Sequence, residues 1–371
     1  MKTNNYLWSM LVTATFVLTG CGSDENGITA PLPQGKTAQL ELCLTGSGVN
    51  TKATGGALPT QAEENTVKRF TVAIFNSDES VNAIQTVTDN TTSATTINCT
   101  PATNCTGIVV ANAPTDGYFS GVLNKTDFLK KTITLDDAQT KDCLPMSGDV
   151  KDGSGNATFT LSAGSNTGMT AQLSRLVARV SVSSIKTAFD PNGQYSAASY
   201  ELKNIFVRNA VKEAVPGTSG YSTTKMETPA YLTGTYTGSS GTVAYLANSV
   251  TPPVSVGTEH KTDYWFYILP NEETTHTALV LEGTFKKNAS DAGSTIYYPI
   301  IVNKSQTGTN ITGASGTGTS NIARNTTYAI KAIIKNIGTG DPTGEINPTS
   351  LELTVSVADW ALNITQDVTF E

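Results

Sequence analysis

Two positions in this 371-residue chain carry chemistry through their neighbours: Cys21 and Lys52. Cys21 closes Leu18-Thr19-Gly20-Cys21, after an apolar run from Leu7 to Leu18 and one early basic residue, Lys2. That run suits a secretory signal and is too short to span a bilayer. Small residues ahead of the cysteine give a peptidase access to the backbone, and the thiol takes a diacylglycerol. Residues 1–20 therefore read as a signal peptide, Cys21 as the lipidation site, and 22–36, with Pro31 and Pro33, as a tether. Lys52 is the one basic residue in the polar stretch from Thr45 to Asn65, which reads as a loop open to a protease.

The other reactive residue types point away from catalysis. The two histidines, His260 and His276, stand at no metal-ligand spacing, so neither a metal nor another cofactor is expected. No Gly-x-Ser-x-Gly nucleophile turn occurs. Asp136-Asp137 and Glu63-Glu64 read as solvated charges, and no enzyme activity is expected. A net charge of −7 with no basic cluster argues against nucleic acid as a partner. Export favours disulfides. Cys99 and Cys105 bracket a turn-rich loop and are the favoured pair, which leaves Cys43 with Cys143. A bridge at Cys43 would keep a cut at Lys52 from freeing the segment before it.

The elements that position these residues are strands. Only 15% of residues are charged, and Gly, Thr, Ser, Ala and Asn are abundant, which suits short strands joined by turns. Thr37 to Leu44 alternates, with Ala38, Leu40, Leu42 and Leu44 on one face and Gln39, Glu41 and Cys43 on the other, the period of a half-buried strand. Further strands are expected at Val67–Phe75, Gly107–Ala111, Gly117–Leu123 and Ala157–Leu161, with possible helix over Phe128–Ala138. A second set covers Leu176–Val182, Tyr200–Val207, Val243–Leu246, Tyr264–Leu269, Thr277–Lys286, Ser294–Val302 and Thr327–Lys335, then 351–357 and 362–370. The aromatic run Tyr264-Trp265-Phe266-Tyr267 alternates poorly and reads as a central strand covered on both faces. The fold class is all-β, with sandwich domains at 37–175 and 176–371. The chain's last residues alternate like a strand that has something to pair with.

Five stretches together resemble the fimbrillins, the polymerising pilus subunits of Bacteroides-type bacteria. They are the lipobox-like segment ending at Cys21, Leu144-Pro145-Met146-Ser147-Gly148, Arg175-Leu176-Val177-Ala178-Arg179-Val180, Ile322-Ala323-Arg324-Asn325-Thr326-Thr327-Tyr328, and Val357-Ala358-Asp359-Trp360. Ile337-Gly338-Thr339-Gly340-Asp341-Pro342 fits the same spacing, and Ser23-Asp24-Glu25 resembles an acidic export signal. The resemblance implies two tandem transthyretin-like Greek-key sandwiches. It also implies an outer-membrane lipoprotein precursor that a trypsin-like protease cuts in the loop after the first strand. By position the cut follows Lys52 and leaves Ala53 first; the family more often has Arg there. Lys36 precedes the strand, and Lys68 and Arg69 lie at the second strand, so neither place suits the cut.

Losing the first strand would open a groove for a neighbour's strand. Three buried leucines imply an exposed cost on the order of 5–9 kcal/mol, at ~1.5–3 kcal/mol each. A strand of like alternation restores those contacts and both sheet edges. The donor is expected within 351–371, with Leu351, Leu353, Val355 and Val357 as plugs. Expected partners are copies of itself in an extracellular filament, accessory pilins, the protease, and the outer membrane before cleavage; the role is adhesion and colonisation. The competing reading is a glycan-binding surface lipoprotein, with Tyr264, Trp265 and Tyr267 as its stacking platform.

Overall fold

The computed structural model describes residues 38–42, 57–88, 95–166, 168–216, 230–236, 242–257, 259–313, 316–344, 350–360 and 365–370. Strand Phe70–Phe75 shows how alternation builds it. The strand is buried along its whole length because its two faces feed two cores. Phe70, Val72 and Ile74 join the main core, while Ala73 and Phe75 join a smaller one with Phe119 and Phe128. Its neighbour Ala102–Ala111 sorts the same way, with Val109 and Ala111 to one side and Ile108 and Val110 to the other.

These strands belong to an eleven-stranded sheet. Its main path runs Val81–Val87, Phe70–Phe75, Ala102–Ala111, Met146–Lys151, Met169–Gln172, Thr365–Phe370, Ala38–Leu42 and Thr95–Cys99. The path curls until its ends meet: the Asn82 side-chain amide donates to Thr100 O at 2.9 Å and accepts from Thr100 N at 2.9 Å. Closure of this kind leaves fewer free edges. The second half forms a five-stranded sheet, in order His260–Ile268, Ala178–Thr187, Thr326–Ile334, Leu351–Asp359 and Thr309–Thr312. A four-stranded sheet completes it, in order Ala247–Val256, Ser199–Arg208, Ala278–Lys286 and Ser294–Ile301. Val180, Val182, Tyr328, Ile330, Leu353 and Val355 from the first of these sheets share a core with Leu202, Leu281, Tyr298 and Ile300 from the second.

The sheets change over at residues 175–178, but the two halves are not sealed from each other. The main core runs through both, Ile133–Thr134 pairs with Glu213–Ala214, and the C-terminal strand returns to the first half's sheet.

Several local expectations need correction. Gly117–Leu123 lies mostly in turns with Gly121 at φ 76°; Phe119 and Val122 are buried in the smaller core, and Tyr118 packs against it. Helix starts before Phe128: Asn124 caps Lys125–Leu129 by accepting from Asp127 N. Ala244–Leu246 is a 3-10 turn that leads into a strand. Among the described residues the aromatic run lies on an edge strand, paired only with Ala178–Thr187, yet Trp265, Phe266 and Tyr267 are buried. Both faces are covered although one edge is free of sheet partners.

Candidate functional site

Strand Ala38–Leu42 sits between two partners and runs antiparallel to each. On one side Ala38, Leu40 and Leu42 oppose Cys99, Ile97 and Thr95. On the other, Leu40 and Leu42 oppose Phe370 and Val368. Its start also runs parallel to Gly164–Ser165. Cross-strand partners in register share a face. The alternate positions 38 and 40 therefore stand beside Cys99 and Ile97, both buried, while position 39 stands beside exposed Asn98. Taking this strand away leaves two facing edges, each suited to an incoming strand that runs as Ala38–Leu42 does. Cys21, Lys36, Cys43, Leu44, Lys52 and Ala53 lie outside the described residues.

The C-terminal segments divide. Leu351, Leu353 and Val355 are buried inside their own sheet, and Leu351–Asp359 is paired on both edges, to Thr326–Ile334 and to Thr309–Thr312. Removing it would dismantle that sheet, so the expected plug of Leu351, Leu353, Val355 and Val357 has a structural duty at home. Thr365–Phe370 is instead paired between Ala38–Leu42 and Met169–Gln172.

Other expected sites also find their places. Cys99 and Cys105 are buried free thiols with no bridge between them, and Cys143 is free as well. Burial pushes the Cys99 thiol up to about 12 and raises the other two. Lys68 pairs with buried Asp142 at 2.9 Å. Arg69 donates to the carbonyls of Ala113 and Pro114 and pairs with Asp116. Both side chains are engaged ahead of their strand. Trp265 and Tyr267 face inward, so they offer no stacking platform.

Glu63 and Glu64 are not solvated charges. They belong to a short helix, Gln61–Glu64, fixed by a reciprocal cap: Thr60 Oγ1 accepts from Glu63 N and the Glu63 carboxylate accepts from Thr60 N. Lys141 Nζ lies 2.6 Å from Glu63 Oε1, and that bond holds the Glu63 carboxyl down at about 2. The cap turns Glu64 inward, to 1% exposure.

Four side chains from three chain segments converge on Glu64. Arg179 Nη1 donates to both carboxylate oxygens at 2.7 and 2.8 Å, Tyr267 Oη donates at 2.7 Å and Trp360 Nε1 at 3.0 Å. Arg175, fully buried, donates from Nε to Glu64 O at 3.0 Å and from its other nitrogens to Asn65, Asn325 and Trp360 O. The Arg175 and Arg179 guanidiniums lie 4.4 and 4.8 Å from the centre of the Trp360 ring, which stacks on Tyr267. Burial raises the Glu64 carboxyl above its ordinary value, with the two guanidiniums pulling the other way, and burial brings Arg175 down to about 10.

One layer behind, Arg324 donates to Arg175 O at 3.0 Å, to Ser147 Oγ at 3.0 Å and to Ser174 O. A Cβ on neighbouring Gly148 would fall 2.1 Å from Gln172 O, which explains the glycine. Four of the stretches that carried the family resemblance therefore meet at one buried polar cluster. Sequence reasoning missed its centre. The Thr60–Glu63 capping pattern was the available signal, and it marks the helix without marking which carboxylate turns inward.

Among known families, a model described as the major fimbrial subunit protein (FimA) matches residues 38–175, and one described as the FimA4 pilin C-terminal domain matches residues 286–360. The fold is similar to a fimbrilin (fimA) from Porphyromonas gingivalis W83, at 19% identity and a TM-score of 0.61, covering 84% of this chain and 96% of that one. It is also similar to a proposed cell adhesion protein from Bacteroides eggerthii DSM 20697, at 23% identity and a TM-score of 0.57, covering 88% and 97%. A third similar structure, a proposed cell adhesion protein from Parabacteroides distasonis ATCC 8503, has 17% identity and a TM-score of 0.59, with 85% and 97% covered. The comparison with curated proteins gave no significant sequence match.

Proposed function

The chain belongs to the fimbrillin family, and on that premise we propose that it is a stalk subunit of an adhesive surface pilus, matured by removal of its first strand. It is exported as an outer-membrane lipoprotein through Cys21. A trypsin-like protease cuts after Lys52, the strand around Ala38, Leu40 and Leu42 departs, and a neighbouring subunit's strand takes its place. The protein works by assembly with copies of itself and with accessory pilins, and it performs no catalysis.

One observation carries this reading. The first strand is held between two antiparallel edges, and one of them is the chain's own C-terminal strand. A replacement strand regains the ladder to Thr95–Cys99, and also the ladder to Thr365–Phe370 for as long as that strand stays in its own subunit. The donor in this reading is Thr365–Phe370, since Leu351–Asp359 is committed within its own sheet. The burial of Trp265 and Tyr267 removes the support for the glycan-platform alternative.

Limited trypsin treatment of the lipid-free precursor, read by intact mass and electron microscopy, tests it. A single clip after Lys52 followed by oligomers or filaments is expected. A resistant monomer, or a clip that leaves a monomer, would overturn the reading.

A further inference from the structure

The Glu64 cluster holds two parts of the chain that strand exchange treats differently. Glu64 ends the short helix that follows the maturation segment, and Trp360 is the last described residue before the C-terminal strand begins at Thr365. Trp360 is fixed at every polar atom and on its ring. Its N donates to Asn325 O at 2.8 Å, its O accepts from Arg175, its Nε1 donates to Glu64, and its ring meets Tyr267 and both guanidiniums. Asn325, at φ 53°, is itself held to Val177 O through its N at 2.8 Å. The strand beyond has a short lead. Five residue steps separate Trp360 from Thr365, so at ~3.3–3.6 Å per step the strand begins within roughly 18 Å of this anchor.

We infer that Glu64 and Trp360 form a clasp that positions the root of the donor strand, so that the strand leaves each subunit from a fixed point aimed at the next subunit's groove. This rests on the strand-exchange reading above. Glu64 and Trp360 are positioning residues: they touch no incoming strand, and they act by limiting where Thr365–Phe370 can go. A donor whose root is fixed searches a small volume for its groove, whereas a loosened root lowers its effective concentration there. A cluster that served stability alone would weaken giving and receiving a strand together. A clasp at the donor root weakens giving more than receiving, because on the receiving side it reaches only one of the two groove edges, Thr365–Phe370.

The two roles separate with full-length chains. An uncut chain keeps its own first strand, so it can give a strand but not receive one. A trypsin-cut chain can receive. Fluorescently labelled uncut chains, lipid-free, are added in excess to cut chains, and label taken into oligomers is measured. Trp360→Phe keeps a ring and loses the Nε1 donor, while Glu64→Gln keeps the shape and loses the charge. Circular dichroism and thermal melts select temperatures at which each variant is folded.

Either substitution in the uncut, giving chain should slow uptake about tenfold, the size of one lost hydrogen bond to a charged group. The same substitution in the cut, receiving chain should slow uptake of wild-type label clearly less, by about threefold at most, because it loosens one groove edge, Thr365–Phe370, and leaves the other, Thr95–Cys99, in place. Equal slowing in both arms, or none in the giving arm, would overturn the clasp while leaving strand exchange standing. Failure of wild-type label to enter wild-type oligomers would overturn strand exchange itself, and the clasp with it.

Discussion

Glu63 and Glu64 are adjacent carboxylates with opposite environments, and the difference is one of direction only. Glu63 points outward to Lys141 and is held down at about 2, whereas Glu64 points inward and burial raises it. A depressed carboxyl contributes stability above its unfolded value and loses it as pH falls through the folded one. The Glu63–Lys141 bond should therefore stabilise the fold at pH 6, fade as pH falls below the ordinary carboxylate range, and contribute nothing once pH is below its folded value of about 2. Lys141→Ala should cost under about 1 kcal/mol at pH 6, since the pair is partly exposed, and should converge on the wild type in acid denaturation. Urea melts at a series of pH values would check this; a gap that does not shrink between pH 6 and pH 2 would assign the effect to packing. The three described thiols make a second expectation. Buried and raised, Cys99 and Cys105 should resist a thiol reagent at pH 8 until the protein unfolds, and half-buried Cys143, also raised, should react slowly. Rapid labelling of the native chain, located by peptide mass, would contradict it. Legibility at this scale was uneven. The arginines, Asn325 and Trp360 stood out as motif members, but no spacing in the sequence joins residues 64, 175, 267 and 360, because tertiary contact has no period.

Strands were the most legible elements, since alternation follows from the pleat. Ala278–Lys286, Ser294–Ile301 and Thr326–Ile334 lie within a residue of where the pattern put them. The failures have physical causes. Apolar residues at 117–123 bury into the smaller core from turns, so burial there does not imply a strand. The aromatic strand is buried on both faces by packing from above and below, which sequence cannot tell from a central place in a sheet. Leu351 to Val357 alternates as cleanly as an exchanged strand would, and it does so within its own sheet, paired on both edges. A pair of substitutions separates the two C-terminal strands. Leu353→Asp buries an unpaired charge and should unfold or severely destabilise the chain. Val368→Asp, at a position opposite Leu42 and Met169, should leave a folded monomer that trypsin clips but that fails to form oligomers. Circular dichroism with size-exclusion chromatography reads both. A folded Leu353→Asp chain that no longer assembles would return the donor role to 351–357.

For the whole molecule, under the proposed strand exchange, the first strand acts as a ligand of the rest of the fold once the peptide chain after it is cut. A clip alone breaks one covalent bond and leaves both ladders in place, so the clipped chain should melt close to the precursor until the fragment departs. After that the acceptor edges at Thr95–Cys99 and Thr365–Phe370 stand unpaired, and two occupants compete for them: the fragment and a neighbouring subunit's strand. Mass action then predicts a response to added peptide. A synthetic Thr37–Leu44 peptide should raise the melting temperature of clipped monomers with the logarithm of its concentration, by about 2.7 kcal/mol of stabilisation at a hundredfold excess over its dissociation constant. The same peptide should slow filament growth over the same concentration range, because one groove cannot hold both strands. A control peptide with Leu40→Asp should do neither. Stabilisation without inhibition would mean that filaments grow through another surface, and inhibition without stabilisation would mean that the peptide binds outside the groove. Only the two effects moving together, with a shared midpoint, fit a single site that opens on maturation and closes on assembly.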